Sequence, residues 1–324
     1  MRKQGLFILL LMLCPLAVWA EDTTELLPFG DFEQWAVRYI KESRLMGGRT
    51  KVLYAVAPTD TIRGNIPFEY GLNGNPWSVS NAYARVAGID KASGTTRPEK
   101  RGDDGWCARL DCKLDSVVVA RIIDLKVLIA GTLFVGRTLE PISMRATNDP
   151  YSAIDMGIPF TRHPKALMLD VKARIEESNE ITYAKAVANP KIREGRDCAE
   201  VYILLQHRWE DADGKIHARR VGTGYERFYH SIPEWDNDHV IPIRWGNITQ
   251  QKGFQNYERL NAIGFKAMNS QGEVVPIVEE NFGLENPTHM ILMITSGSYE
   301  AFVGHDGNTL WVDNVRLVYD EDNR

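Results

Sequence analysis

Short runs of alternating or β-branched side chains, each closed by a turn signal, constrain this fold more than anything else in the chain. Trp106, Ala108, Leu110, Cys112 and Leu114 alternate with Arg109, Asp111 and Lys113, the period of a half-buried strand. Val117 to Ile123 and Val127 to Val135 follow, both rich in β-branched residues. Ala166 to Ile175, Ala199 to Trp209, Ile216 to Phe228, Met290 to Thr295 and Thr309 to Tyr319 continue the series. Asp211-Ala212-Asp213-Gly214, Ser270-Gln271-Gly272 and His305-Asp306-Gly307-Asn308 supply the turns. Such a pattern predicts an all-β protein, a jelly-roll β-sandwich. One stretch departs from it. Phe32, Trp35, Ala36, Tyr39 and Ile40 have the spacing of an amphipathic helix that Gly47-Gly48 would end, so a short helical or irregular segment is expected near the N-terminus.

The first twenty residues belong to a different kind of segment. Arg2 and Lys3, the apolar run Leu6 to Leu13, and Val18-Trp19-Ala20 before Glu21 form the pattern of a secretory signal peptide. The expected organisation is a leader, 1–20, removed on export, and a single domain over 21–324, with no repeat and no linker. No later stretch is long and apolar enough for a transmembrane helix. The full chain carries a formal charge of -5, and loss of the leader's two basic residues leaves -7. That balance excludes the basic stripe of a nucleic-acid binder. Export places Cys107, Cys112 and Cys198 in an oxidising compartment, yet three thiols cannot all pair within one chain. On one strand, Cys107 and Cys112 would lie roughly 16 Å apart on opposite faces, beyond the reach of a disulfide. They are expected not to be bridged to each other, with Cys112 in the core.

Motifs of strong specificity are missing. There is no His-Glu-x-x-His, Cys-x-x-Cys, Gly-x-Ser-x-Gly, phosphate loop or dinucleotide fingerprint. Asp211 to Gly214 lacks the later ligands of a calcium loop and reads as a hairpin turn. Glycoside hydrolysis needs two carboxylates facing one bond, and Asp124, Asp155, Asp170 and Glu200 are candidates for such a pair. Sugars also stack on indole rings flanked by polar groups. Trp77, with Asn75 and Asn81 nearby, and Trp235, between Glu234 and Asp236, have that local chemistry.

Leu27-Pro28-Phe29-Gly30-Asp31-Phe32-Glu33-Gln34-Trp35 resembles the opening of the putative carbohydrate metabolism domain (PCMD), a family of exported proteins of Bacteroides-type bacteria. Ala130 to Gly136, Gly157 to Pro164 and Gly307 to Val315 resemble later parts of it, in order. The stretch Val37 to Ala57 is longer than the usual family opening. The resemblance implies a jelly roll associated with carbohydrate, and supplies no catalytic pair. Gly30 to Glu33 and Trp311 to Val315 also resemble the two ends of carbohydrate-binding jelly rolls whose terminal strands share a calcium ion. That implies Glu33 and Asp313 as ligands of a structural calcium, with no other cofactor required. The reading is an exported protein that binds polysaccharide or host glycan without turning it over. The alternatives are a glycoside hydrolase using two of the carboxylates, or an adhesion or structural subunit that binds protein.

Overall fold

The computed structural model describes residues 22–103, 105–119, 123–143, 145–185 and 189–320. The expected leader lies outside them. The described chain is all-β, and its one α-helical turn is Arg145–Asn148. Two sheets face each other as a sandwich. The smaller has six strands, in the order Ile232–Pro242, Ala166–Arg174, Thr309–Tyr319, Gly105–Asp111 and Thr96–Arg101, with Thr23–Leu26 added along Thr309–Tyr319. The larger has ten. Its spine runs Ile154–Met156, Thr132–Thr138, His289–Thr295, Ala199–Glu210, Ile216–Phe228, Val274–Phe282 and Lys266–Met268, and three short strands pair along it.

Alternation along each strand decides what each face buries. Leu167, Leu169 and Val171 of the smaller sheet meet Val201, Ile203 and Leu205 of the larger in one shared core. Each such side chain, fully buried, stabilises the fold by about 1.5–3 kcal/mol. The opposite face of Ala199–Glu210 is also apolar at its centre. There Tyr202 and Leu204 pack in one cluster with Ile291, Met293 and Phe265, joined by Ala267 and Ile277 from the last two strands of the same sheet. The larger sheet is therefore covered on both sides in its middle, and its ends carry the polar residues.

The expected N-terminal helix is a strand. Trp35–Lys41 pairs antiparallel with Thr50–Val56 and parallel with Asp60–Arg63. Ala36, Arg38 and Ile40 are the fully buried side chains, a period of two rather than 3.6. The helical reading failed on Arg38, which pattern assigns to a solvent face. In the structure Arg38 forms an ion pair with Glu140, and the two side chains are 1% and 0% exposed. This pairing is what the stretch Val37 to Ala57 does: it builds a small sheet and pins it to the end of Thr132–Thr138.

Trp106 to Leu114 is two strands rather than one, because the chain leaves the smaller sheet at Cys112 and forms a hairpin, Lys113–Val119 with Ile123–Ile129. Cys107, Cys112 and Cys198 are all unbridged and buried; Cys107 and Cys112 are not joined to each other and Cys112 is in the core, as expected. Burial pushes Cys107 up to about 12 and Cys198 to about 11, and raises Cys112 as well. A thiol reagent at pH 8 is therefore expected to leave these three cysteines unmodified until denaturant is added. Peptide mapping after a native-state pulse checks this, and rapid labelling of any of them would contradict the packing.

Beside Cys198, the buried Asp197 carboxylate accepts hydrogen bonds from the amides of Cys198, Ser298 and His305, from Ser298 Oγ and from Asn308 Nδ2. It ties the start of Ala199–Glu210 to the turn before the last strand. Five donors on one carboxylate make Asp197 a structural hub.

Candidate functional site

Three of the expected glycan contacts are structural. Trp77 is 0% exposed. Its Nε1 donates to the Pro28 carbonyl at 2.9 Å, and its ring meets Phe32 edge-on at 5.3 Å. Asn75 is buried, donating to the Val56 carbonyl and accepting from the Trp77 amide. Asn81, also buried, donates to the Tyr54 and Thr96 carbonyls and accepts from the amides of Thr95 and Thr96. The polar residues around Trp77 looked like a solvated loop. They are polar because backbone groups at strand ends need partners when buried.

Trp235, Asp170 and Asp313, far apart in sequence, converge on Arg101. Its Nη1 donates to Asp170 and Asp313, at 2.7 Å each, and its guanidinium sits 4.1 Å above the Trp235 ring. Burial pushes Asp313 up to about 6 against the pull of Arg101. Burial raises Asp170 too, but is outweighed by donors from Asn314, the Asp238 amide and Arg101, which leave it below the usual range. The counter-ion of Asp313 is thus a guanidinium, which also covers one face of Trp235. Glu33 is exposed and accepts from the Trp106 amide at 2.9 Å. Among the described residues, no group of three His, Cys, Asp or Glu side chains is placed to hold a metal ion.

Of the carboxylates proposed as a hydrolytic pair, Asp155, Asp170 and Glu200 do not come together. Asp170 lies on the smaller sheet. Asp124 is on the strand Ile123–Ile129 of the hairpin, and its side chain lies outside the described residues. Glu200 and Asp155 both belong to the larger sheet, at opposite ends of it. Glu200 begins Ala199–Glu210, and Asp155 precedes Met156, whose carbonyl accepts from Arg208 near that strand's far end. At roughly 3.3 Å per residue, Glu200 and Arg208 are about 26 Å apart. Burial pushes the Glu200 carboxyl up to about 7, although Tyr225 Oη and Arg227 Nε both donate to it at 2.9 Å.

Asp155 does line a concavity. A groove of about 530 Å³ opens at this end of the larger sheet, a size suited to a small ligand. Its polar lining is Arg137, Asp155, Arg208, Glu210 and His289, and its apolar lining includes Ile158, Ile216, Ala267 and Met268, with Trp209 at the strand end. Arg137 donates to Asp155 through Nε and Nη2, and Asp155 also accepts from the Met268 amide. Glu210 accepts from the Ser270 amide and hydroxyl. Burial and the neighbouring Arg208 charge push His289 down to about 4, so it is a neutral imidazole at pH 7. The Trp209 ring is stacked on His217 at 5.5 Å, with 13° between planes. Gly157 forms part of the floor with φ +89°, and a Cβ there would lie 2.7 Å from Arg208 Nη2 and 2.9 Å from the Met290 carbonyl. Glycine is required on both counts.

The groove gathers Asp155 and Asn75, which the sequence had marked, with Arg137, Arg208, Trp209, Glu210 and His289, which it had not. One signal pointed to them. His207, Arg208 and Glu210 crowd charged or titratable groups around Trp209 at the end of an otherwise apolar strand, just before the Asp211 to Gly214 turn.

No curated protein matches the chain. Among solved structures, it is similar to a crystal structure described as a putative glycoside hydrolase from Bacteroides thetaiotaomicron. That match has a TM-score of 0.42 and 17% identity, and covers 70% of this chain and 57% of that one. The chain therefore spans little more than half of that protein's length. The sequence profile of the Putative carbohydrate metabolism domain matches residues 60–318, from the small N-terminal sheet through to the last strand of the sandwich. The chain belongs to the PCMD family.

Proposed function

We propose that this protein binds a polysaccharide or host glycan in the groove beside Trp209, outside the cytoplasm, and does not turn it over. Membership of a carbohydrate metabolism family supports the ligand class. The observation that carries the site is the lining of the groove. Apolar surface for the C–H face of a sugar stands beside the Arg137–Asp155 pair, which offers donors and acceptors to hydroxyl groups. Arg137 is half exposed in that pair, so it is free to meet a ligand.

Binding without turnover is favoured by where the acid chemistry sits. Glycoside hydrolysis wants a carboxyl held protonated near neutral pH, facing a second carboxylate across the bond. Two carboxyls are raised toward neutral pH, Glu200, about 26 Å from the groove end of its strand, and Asp313, which shares Arg101 with Asp170 on the smaller sheet, and neither lines the groove. The signal-like start, Arg2 to Ala20, supports export, and among the described residues no helix is long and apolar enough to cross a membrane.

A broad glycan panel should be screened for binding and, in parallel, for released sugars. Trp209→Ala and Arg137→Ala are each expected to weaken binding at least several-fold, with little change in melting temperature. Trp77→Ala, in contrast, should lower stability by about 3–5 kcal/mol, because it empties a core site. Sugar release that disappears in Asp155→Asn would make the groove an active site and overturn the binding reading.

A further inference from the structure

Among the described residues, Arg208 is a cation with no ion-pair partner of its own. Its Nε donates to Gln206 Oε1 at 2.7 Å and its Nη1 to the Met156 carbonyl at 3.0 Å, while Nη2 is enclosed with no partner. The nearby acids are committed elsewhere. Asp155 pairs with Arg137, Glu279 pairs with Arg220, and Glu210 is held by Ser270. Its remaining neighbours bring no negative charge, since His289 is neutral and Gly157 has no side chain. Burial pushes the Arg208 guanidinium down to about 10, so it still carries its charge at neutral pH. Removing a charge from water is costly unless it is paired, and the two acids whose charge reaches Arg208, Asp155 and Glu279, already have partners.

Resting on the glycan reading of the groove, we propose that its ligand is an anionic sugar, whose carboxylate or sulfate pairs with Arg208. The unpartnered Nη2 would donate to either group, and an ion pair partly shielded from water discriminates strongly between a charged sugar and its neutral counterpart. Met156 and Gln206 hold the guanidinium through Nη1 and Nε. A sugar seated against the apolar lining would bring its acidic substituent to the one cationic group there that has no acid partner.

The test uses the whole mature protein and calorimetric titration. One arm takes an oligo-uronide and the same oligosaccharide with its carboxyls reduced to alcohols. The other takes a sulfated oligosaccharide and its desulfated form. The acidic member of one pair is expected to bind about tenfold or more tightly than its neutralised partner, with the gap narrowing as salt rises. Whichever pair shows the gap identifies carboxylate or sulfate. Arg208→Met should bring the preference for the acidic form below about twofold. If that variant does not fold, the rise in melting temperature that each ligand gives the unsubstituted protein reads the same preference. Equal affinity for the acidic and neutralised members of both pairs would overturn the proposal and leave glycan binding standing. Failure to bind any member of a broad glycan panel would overturn both.

Discussion

Replacing Glu140 with alanine is expected to lower stability by about 3–5 kcal/mol, the usual cost of stripping the partner from a buried ion. Glu140 accepts from Nη1 and Nη2 of Arg38 and from the amides of Phe68 and Tyr83. Its loss would leave a guanidinium that is 1% exposed without a counter-charge and two amides without an acceptor. Arg38 has little in reserve. Its Nη2 also reaches the Ile66 carbonyl, but Nε has no partner. For a domain of this size the melting midpoint should fall by roughly 5–10 °C. Glu140→Gln, which keeps the acceptor but not the charge, should fall between wild type and alanine. The damage should appear first as protease sensitivity in the small N-terminal sheet, since that is the part Glu140 anchors. A loss below about 1 kcal/mol would mean that Arg38 reaches another acid, and that the sheet is held by its apolar contacts.

Glu200→Gln should change how stability depends on pH. Burial pushes the folded carboxyl up to about 7 from an ordinary value of 4.5. Between those two values the unfolded chain has released the proton that the folded chain keeps. Stability of the wild type therefore falls as pH rises through this window, and levels off above pH 7. The shift corresponds to about 3 kcal/mol. Glutamine does not titrate, so the difference in stability between variant and wild type should move by about that amount in the variant's favour from pH 4.5 to pH 8. Other shifted groups, among them Asp313 raised to about 6 and His239 raised to about 8, titrate in both proteins and cancel in the difference. Denaturant titrations at several pH values measure it. A flat difference would show that Arg227 and Tyr225 hold Glu200 ionised despite its burial.

Several expectations were legible because they depend on neighbours in sequence. The strands Ala166–Arg174, Ala199–Glu210, Ile216–Phe228 and Thr309–Tyr319 lie where the apolar and β-branched runs placed them, and turn residues separate several of them. Trp35–Lys41 was misread for an equally local reason. Trp35, Ala36, Tyr39 and Ile40 satisfy a helical spacing, and nothing nearby reveals that Arg38 has a buried acid to meet.

Sequence by itself thus determined the strand content, the turns and the family, because period-two burial and turn chemistry are set by residues a few positions apart. Only the tertiary structure decided which polar and aromatic residues were available to a ligand. Trp77 and Trp209 are both tryptophans among polar neighbours, yet one is sealed against Phe32 and the other stands at the groove. The partners that make the difference are remote: Arg38 and Glu140 are 102 positions apart, and Arg101 and Asp313 are 212 apart. No local pattern encodes such a meeting, since a polar side chain looks the same in sequence whether water or a distant strand satisfies it. Arg208 is the same case in reverse. Its sequence neighbours give no hint that, of the acids folded around it, none is left to pair with its charge.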